Sequence, residues 1–152
     1  MDGSGQNARM QSFDFASAPG HLIRRAHQVS VALFAEAAAA LDVTQVQFAI
    51  LNALLDEPGI DQVTLAQRVA LDPATSGSVI ERLERKGWLR REPAPTDRRR
   101  RLLWITPTGM DVVQALMQPI ADAQARLLAP LPPADAQALL RLLKALVSAH
   151  PR

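Results

Sequence analysis

Apolar residues recur at helical spacing along most of this chain. Pro19 can open a helix at its first turn, and Leu22, Ala26, Val29, Leu33, Ala37 and Ala40 then share one stripe of a helix running from Gly20 to Leu41. From Val31 onward that helix is apolar almost all round, with Glu36 the only charge before Asp42. A helix apolar on every side must be covered on every side. A chain of 152 residues lacks the material to do so alone, so the pattern predicts a second copy as the cover.

Thr44-Gln45-Val46-Gln47 is a capping-box pattern that opens a second helix through Phe48, Ile50, Leu51, Leu54 and Leu55, ended by Glu57-Pro58-Gly59. Thr64-Leu65-Ala66-Gln67 repeats the pattern and predicts a short helix to about Ala70. Asp72-Pro73 then supplies an N-cap and a first-turn proline for a helix that runs to Lys86 and stops at Gly87. Two short helices joined by a tight turn make a helix-turn-helix unit. The segments Trp88 to Glu92 and Arg100 to Ile105 read as short strands around Pro-Ala-Pro-Thr-Asp turn chemistry, a hairpin in the position of a wing. Thr106-Pro107 caps a further helix through Val112, Val113, Leu116, Ile120 and Leu127. After the break at residues 129–133 a last helix carries Leu139, Leu140, Leu142, Leu143, Leu146 and Val147.

The expected class is therefore mainly α with a small β-hairpin wing: a winged helix-turn-helix with N- and C-terminal dimerisation helices. Its expected parts are a loose arm over residues 1–16, a first dimerisation helix over 17–42, the winged DNA-binding region over 43–108 and C-terminal dimerisation helices over 109–150. Together they form one intertwined domain.

Composition removes several chemistries. There is no cysteine, hence no disulfide, thiolate nucleophile or sulfur-based zinc site. His21 and His27 stand six apart, roughly 240° around a helix, so they share no metal-binding face. Neither a metal nor a cofactor is expected. No Ser-His-Asp set or phosphate-cradling glycine loop appears, which argues against an enzyme. The start of the chain lacks the pattern of a secretory signal, and no apolar run approaches the length of a membrane span, so the expected place is the cytoplasm, without a membrane partner.

Charge changes the picture most. Residues 82–101 hold nine Arg or Lys against three acids, a local +6 in a protein whose net charge is +2, so the rest of the chain carries −4. Clustered cations release counterions from phosphates in a way that scattered ones do not. Four of these residues, Arg98 to Arg101, follow Asp97 at the outer end of the hairpin, where a wing can enter a minor groove. Narrow A·T-rich grooves favour arginine, and Asp97 is placed to hold one guanidinium in a fixed pose. On the helix before the wing, Ser76, Val79, Ile80 and Leu83 share a packing face, while Thr75, Ser78, Arg82 and Arg85 lie opposite. The small hydroxyls near its start let the backbone approach DNA closely, and the arginines one and two turns on can reach guanine edges or phosphates. The candidate DNA-binding residues are thus Thr75, Ser76, Ser78, Arg82, Arg85, Asp97, Arg98, Arg99 and Arg100, and the partner is double-stranded DNA.

The Leu65-Ala66 helix, Asp72 to Lys86 with Val79, Leu83 and Gly87, and Asp97-Arg98-Arg99 followed by Ile105-Thr106-Pro107-Thr108-Gly109 together resemble the MarR family of winged helix-turn-helix regulators over roughly residues 20–148. The resemblance implies a homodimer on DNA, with the arginine two after the aspartate, here Arg99, in the minor groove. Four arginines stand where many relatives have one or two, which leaves open which of them enters. The stretch Pro19 to Gln28 resembles the opening helix of members that control nicotinate and hydroxybenzoate breakdown. Independently of family, His21, Arg24, Arg25 and Gln28 share one helical face that can hold a carboxylate by charge-assisted hydrogen bonds; the alternative is a solvated polar face. The expected function is a ligand-responsive regulator, a repressor of a pseudo-palindromic operator, released by a small aromatic carboxylate of the hydroxypyridine or hydroxybenzoate type. The competing reading is an architectural DNA binder without a ligand.

Overall fold

The computed structural model describes residues 11–151, so most of the expected arm, residues 1–10, lies outside the described residues. Residues 11–15 are exposed and irregular, and the ring of Phe15 lies against His21 at 4.8 Å.

Helix α1 spans Pro19–Ala38, with proline in its first turn and a single 3-10 turn, Ala39–Leu41, after it. Asp42 then adopts a left-handed conformation (φ 50°) that reverses the chain. α2, Gln45–Asp56, has the expected capping box: the Thr44 hydroxyl accepts from the Gln47 N–H, and the Gln47 side chain accepts from the Thr44 N–H. A two-residue strand β1, Ile60–Asp61, leads into α3, Gln62–Arg68, and α4 follows as Pro73–Arg85. β2, Leu89–Pro93, and β3, Arg101–Ile105, form the hairpin; α5 is Pro107–Leu128 and α6 is Pro133–Ala149. The sheet is antiparallel in the order β1-β3-β2, with Ile60 opposite Leu103 and Leu89 opposite Ile105. This is a winged helix-turn-helix. Among the described residues, no single helix is long and apolar enough to cross a membrane.

The cap of α3 differs from expectation. Asp61, not Thr64, is its N-cap: the carboxylate accepts from both the backbone N–H and the hydroxyl of Thr64, at 3.1 and 2.6 Å. Asp61 stands three residues before Thr64, and its ionised carboxylate is the stronger acceptor for the positive helix end. Strand β1 was not expected either, because its partners Leu102 and Leu103 are some forty residues away and no local pattern encodes a two-residue pairing.

One continuous core joins these elements. Ile50, Leu51 and Leu54 of α2, Leu65 of α3, Ile80 and Leu83 of α4, Leu103 of β3 and Val113 of α5 are almost completely buried. α1 packs along α5, its buried residues are Phe34 and Ala38, and Phe34 meets Phe48 of α2 with ring centroids 6.0 Å apart. Within the protomer the buried face of α1 runs through Phe34 and Ala38, whereas Leu22 and Val29 of the expected stripe are about half exposed. A helix apolar on every side gives the repeat nothing with which to choose a face. α6 buries no residue at all, and its Leu139, Leu140, Leu142, Leu143, Leu146 and Val147 are 37–71% exposed.

The wing joins α5 through a close backbone contact. The Thr106 hydroxyl donates to the Gly87 carbonyl at 2.6 Å and accepts from the Gly109 N–H at 3.1 Å, and the Thr106 N–H donates to the Trp88 carbonyl at 3.0 Å. A Cβ on Gly109 would lie 2.1 Å from that Trp88 oxygen, so only glycine fits here. Gly87, at φ 75°, ends α4 in the left-handed conformation that side chains disfavour.

Candidate nucleic-acid interface

α4 is positioned from both ends. Asp72 caps it, accepting from the Thr75 N–H at 2.9 Å and the Thr75 hydroxyl at 2.7 Å; the Thr75 hydroxyl bond foremost holds the Asp72 carboxyl below the usual carboxylate range. At the other end Lys86 donates its ammonium to the Asp42 carbonyl at 3.1 Å and lies over the Trp88 ring at 4.4 Å. Ile80 and Leu83 anchor the inner face, which leaves Thr75, Ser78, Arg82 and Arg85 exposed on the outside.

Ser76 does not join them. It is 2% exposed and donates its hydroxyl to the Pro73 carbonyl at 2.9 Å. Its angle on the helix, shared with Ile80 and Leu83, turns it into the core, so its inclusion among the DNA contacts is corrected.

The wing loop, residues 94–100, is built around Asp97. Its carboxylate accepts from the Arg99 N–H at 3.0 Å, and its carbonyl accepts from the Arg100 N–H at 3.0 Å. Asp97 therefore shapes the loop backbone rather than holding a guanidinium, as had been expected; the short side chain satisfies the amide two residues on before it can reach a neighbouring arginine head. The guanidinium that is held belongs to Arg100, which donates to Asp61 at 3.3 Å. Arg98 and Arg99 are exposed and pair with no carboxylate among the described residues.

Two further residues were not found from sequence. Arg91 of β2 grips Glu84 of α4 with two guanidinium nitrogens, Nη2 at 3.0 Å and Nε at 3.2–3.3 Å, fixing the wing strand to the last turn of α4. The Arg91 hydrogen bond pulls the Glu84 carboxyl down, and the same bond raises the guanidinium. Asp61 is held low as well, chiefly by the Thr64 hydroxyl. Arg90 lies over the Trp104 ring at 4.4 Å and pairs with Glu92. The net result is Thr75, Ser78, Arg82 and Arg85 exposed on α4, and Arg98 and Arg99 exposed on a loop that Arg100 ties to Asp61 and whose strand β2 is tied to α4 through Arg91 and Glu84.

At the start of α1, Arg24 donates to Nδ1 of His21 at 3.1 Å, so these two groups do meet, while Arg24, Arg25 and Gln28 are exposed. A cleft of about 220 Å³ lies further along the same helix, lined by Val31, Phe34, Ala35, Ala38 and residues 42–45. A second, of about 270 Å³, lies between the wing and α3, lined by Asp61, Gln62, Val63, Arg91, Arg99, Arg100 and Arg101. Neither is lined by His21, Arg24, Arg25 or Gln28. Ten residues of helix, about 15 Å, separate His21 from Val31.

Comparison with known proteins places this geometry. The model of the MarR family matches residues 41–100, which run from the entry to α2 to the end of the wing loop. The transcriptional regulator HosA of Escherichia coli O111:H- is 39% identical over 82 residues, 54% of this chain and 60% of HosA, so the chain matches about three fifths of that relative's length. Among solved structures, the PcaV transcriptional regulator of Streptomyces coelicolor in complex with its natural ligand is 38% identical, covering 92% of this chain and 99% of PcaV with a TM-score of 0.85. BpsR of Bordetella bronchiseptica, whose DNA binding is regulated by 6-hydroxynicotinic acid, is 32% identical, covering 90% of this chain and 97% of BpsR with a TM-score of 0.84.

Proposed function

The chain belongs to the MarR family of transcription regulators, and from that premise we propose that it is a homodimeric repressor of a pseudo-palindromic operator, released by a small aromatic carboxylate. The observation that carries the reading is the exposed row Thr75, Ser78, Arg82 and Arg85 on α4, flanked by an arginine loop that two carboxylates fix to the same subdomain. A helix with small hydroxyls at its start and arginines further along suits a major groove, and the loop suits the adjacent minor groove. The segments over residues 17–42 and 109–150, which hold α1, α5 and α6, form the dimer seam, since α6 has no cover within the protomer. The two-fold axis then requires half-sites about one helical turn apart.

The effector binds at the start of α1, with its carboxylate on His21 and Arg24, and with Arg25 and Gln28 on the same face. The relatives support an acid of this kind, BpsR through 6-hydroxynicotinic acid. Ligand favours a dimer whose recognition helices are misplaced for successive major grooves, and it shifts the equilibrium only by its differential affinity for the two states.

The test is DNA binding across a salt series, on a duplex selected from a randomised pool with the unsubstituted protein. With about eight phosphates neutralised per dimer, the log-log slope is near −7, and a slope of −2 or shallower removes the wing from the mechanism. Alanine at Arg82 or Arg85 relaxes base preference by roughly 1–3 kcal/mol, while alanine at Arg99 weakens binding mainly where the flanks are A·T-rich. Equal losses on every sequence would mean that none of the three reads base or shape.

A further inference from the structure

The wing loop offers consecutive arginines that the chemistry of phosphate binding does not tell apart, but the structure treats them differently. Arg100 has a fixed backbone: its N–H donates to the Asp97 carbonyl, and its own carbonyl accepts from the N–H of the buried Ala94, closing the loop. Its guanidinium reaches away from the loop to Asp61. Asp61 is equally fixed, as the N-cap of α3 and as a member of β1 opposite Leu102, with its carboxylate already holding the Thr64 amide and hydroxyl. Both ends of this pair thus stand on ordered backbone, and one carboxylate serves the loop and the helix together. Arg98 and Arg99, in the turn between, have no such partner among the described residues.

We propose that Asp61 and Arg100 form a strut that sets the wing against the first turn of α3, so that Arg100 positions the loop and its contact with DNA falls to Arg98 and Arg99. This rests on the DNA-binding reading above and removes Arg100 from its set of contacts. A carboxylate at this place also repels a phosphate approaching Arg100, whereas the guanidinium groups of Arg98 and Arg99 pair with no carboxylate among the described residues. The wing enters its groove with fewer cations than the sequence displays, in a pose fixed before DNA arrives. Losing the strut costs selectivity rather than charge.

The experiment uses the full chain and two duplexes of equal length, one selected from a randomised pool by the unsubstituted protein and one of mixed sequence. Affinity is followed by fluorescence anisotropy across a salt series. Asp61→Asn keeps an equally good N-cap, so α3 remains closed, and Arg100→Gln leaves that cap untouched altogether. Each single variant is expected to lose several-fold to about tenfold in affinity for the selected duplex, with little change on the mixed one and an unchanged salt slope. The double variant loses no more than the weaker single, because both remove one interaction. Replacing Arg98 and Arg99 by alanine instead flattens the slope by about 0.9 for each phosphate contact removed. The proposal is overturned if Asp61→Asn tightens binding while Arg100→Gln flattens the slope, since Arg100 is then itself a phosphate contact that Asp61 restrains. It is also overturned if neither variant changes the ratio of the two affinities. A protein that selects no duplex at all overturns both this proposal and the DNA-binding reading, whereas a normal slope with opposite single effects overturns the strut alone.

Discussion

Replacing Leu142 of α6 by glutamate tests the dimer seam most directly. The six large apolar side chains of α6 are 37–71% exposed in the protomer, about half on average. Full burial of such a side chain stabilises by about 1.5–3 kcal/mol, so roughly 1 kcal/mol per residue, or about 6 per helix, is unrealised in a single chain. Leu22, Ile23, Val29 and Val31 of α1, 42–53% exposed, add about 4 more. Two copies therefore have on the order of 20 kcal/mol to gain from covering both helices, against an association cost of about 4–15 kcal/mol. Glutamate at position 142 removes one contribution and places an unpaired carboxylate in the seam, twice per dimer by symmetry. At about 3 kcal/mol per copy, the dissociation constant rises by roughly four orders of magnitude. Sedimentation velocity at micromolar concentration, with circular dichroism alongside, is expected to show a folded dimer for the unsubstituted chain and dissociated, partly unfolded protein for Leu142→Glu. A folded, unsubstituted monomer at that concentration, or an unperturbed dimer of the variant, would refute the reasoning.

Other outcomes follow from single contacts. Gly109→Ala forces a Cβ to within 2.1 Å of the Trp88 carbonyl oxygen, so the wing and α5 must separate; thermal unfolding is expected to show a loss of about 2–3 kcal/mol, and an unchanged midpoint would mean that this junction yields freely. Asp61, Asp72 and Glu84 all have carboxyl pKa values depressed by folding, so the stability they contribute is complete above the ordinary carboxylate range near pH 4 and is lost as pH falls through their lowered values. Urea midpoints should accordingly be flat from about pH 7 to 5 and fall below about pH 4, with a smaller fall in Glu84→Gln, and a midpoint that rises on acidification would contradict the assignment. Alanine at His21 or Arg24 should abolish the response to 6-hydroxynicotinate or hydroxybenzoate, including the roughly 2.7 kcal/mol of stabilisation expected at 100 times the dissociation constant, while DNA affinity without ligand stays as it was. If both variants still respond to every active acid, the effector site lies elsewhere, with the cleft beside Phe34 and Ala38 the next place to look.

The helix caps legible in sequence are those whose donor and acceptor lie within one helical turn. Thr44, Asp72 and Thr106 each cap a helix by accepting from an amide three residues on, and each was visible as a short pattern. α3 shows the limit of such patterns. Asp61 and Thr64 both satisfy one, and only the structure shows that the carboxylate takes the cap while the threonine becomes its donor. On α1 the chain is apolar almost all round from Val31 onward, so periodicity does not single out Phe34 and Ala38, the two residues the protomer buries there.

The interface divides along the same line. The outward row of α4 follows from angle alone once Ile80 and Leu83 are taken as its anchor, and the same angle should have turned Ser76 inward, against the attraction of a hydroxyl near the helix start. What no local pattern carries is how the wing is held. Glu84 reaches Arg91 across seven residues and Asp61 reaches Arg100 across thirty-nine, because an antiparallel sheet brings distant segments side by side. A run of four arginines therefore reads in sequence as one block of charge. In the folded chain it is divided, with a carboxylate from another element claiming Arg100 and the turn at Asp97 presenting Arg98 and Arg99. Counterion release depends on how many cations meet phosphate, not on how many the loop contains. On the strut reading the salt slope therefore follows Arg98 and Arg99, while the pairing of Arg100 with Asp61 sets the pose in which they meet the groove.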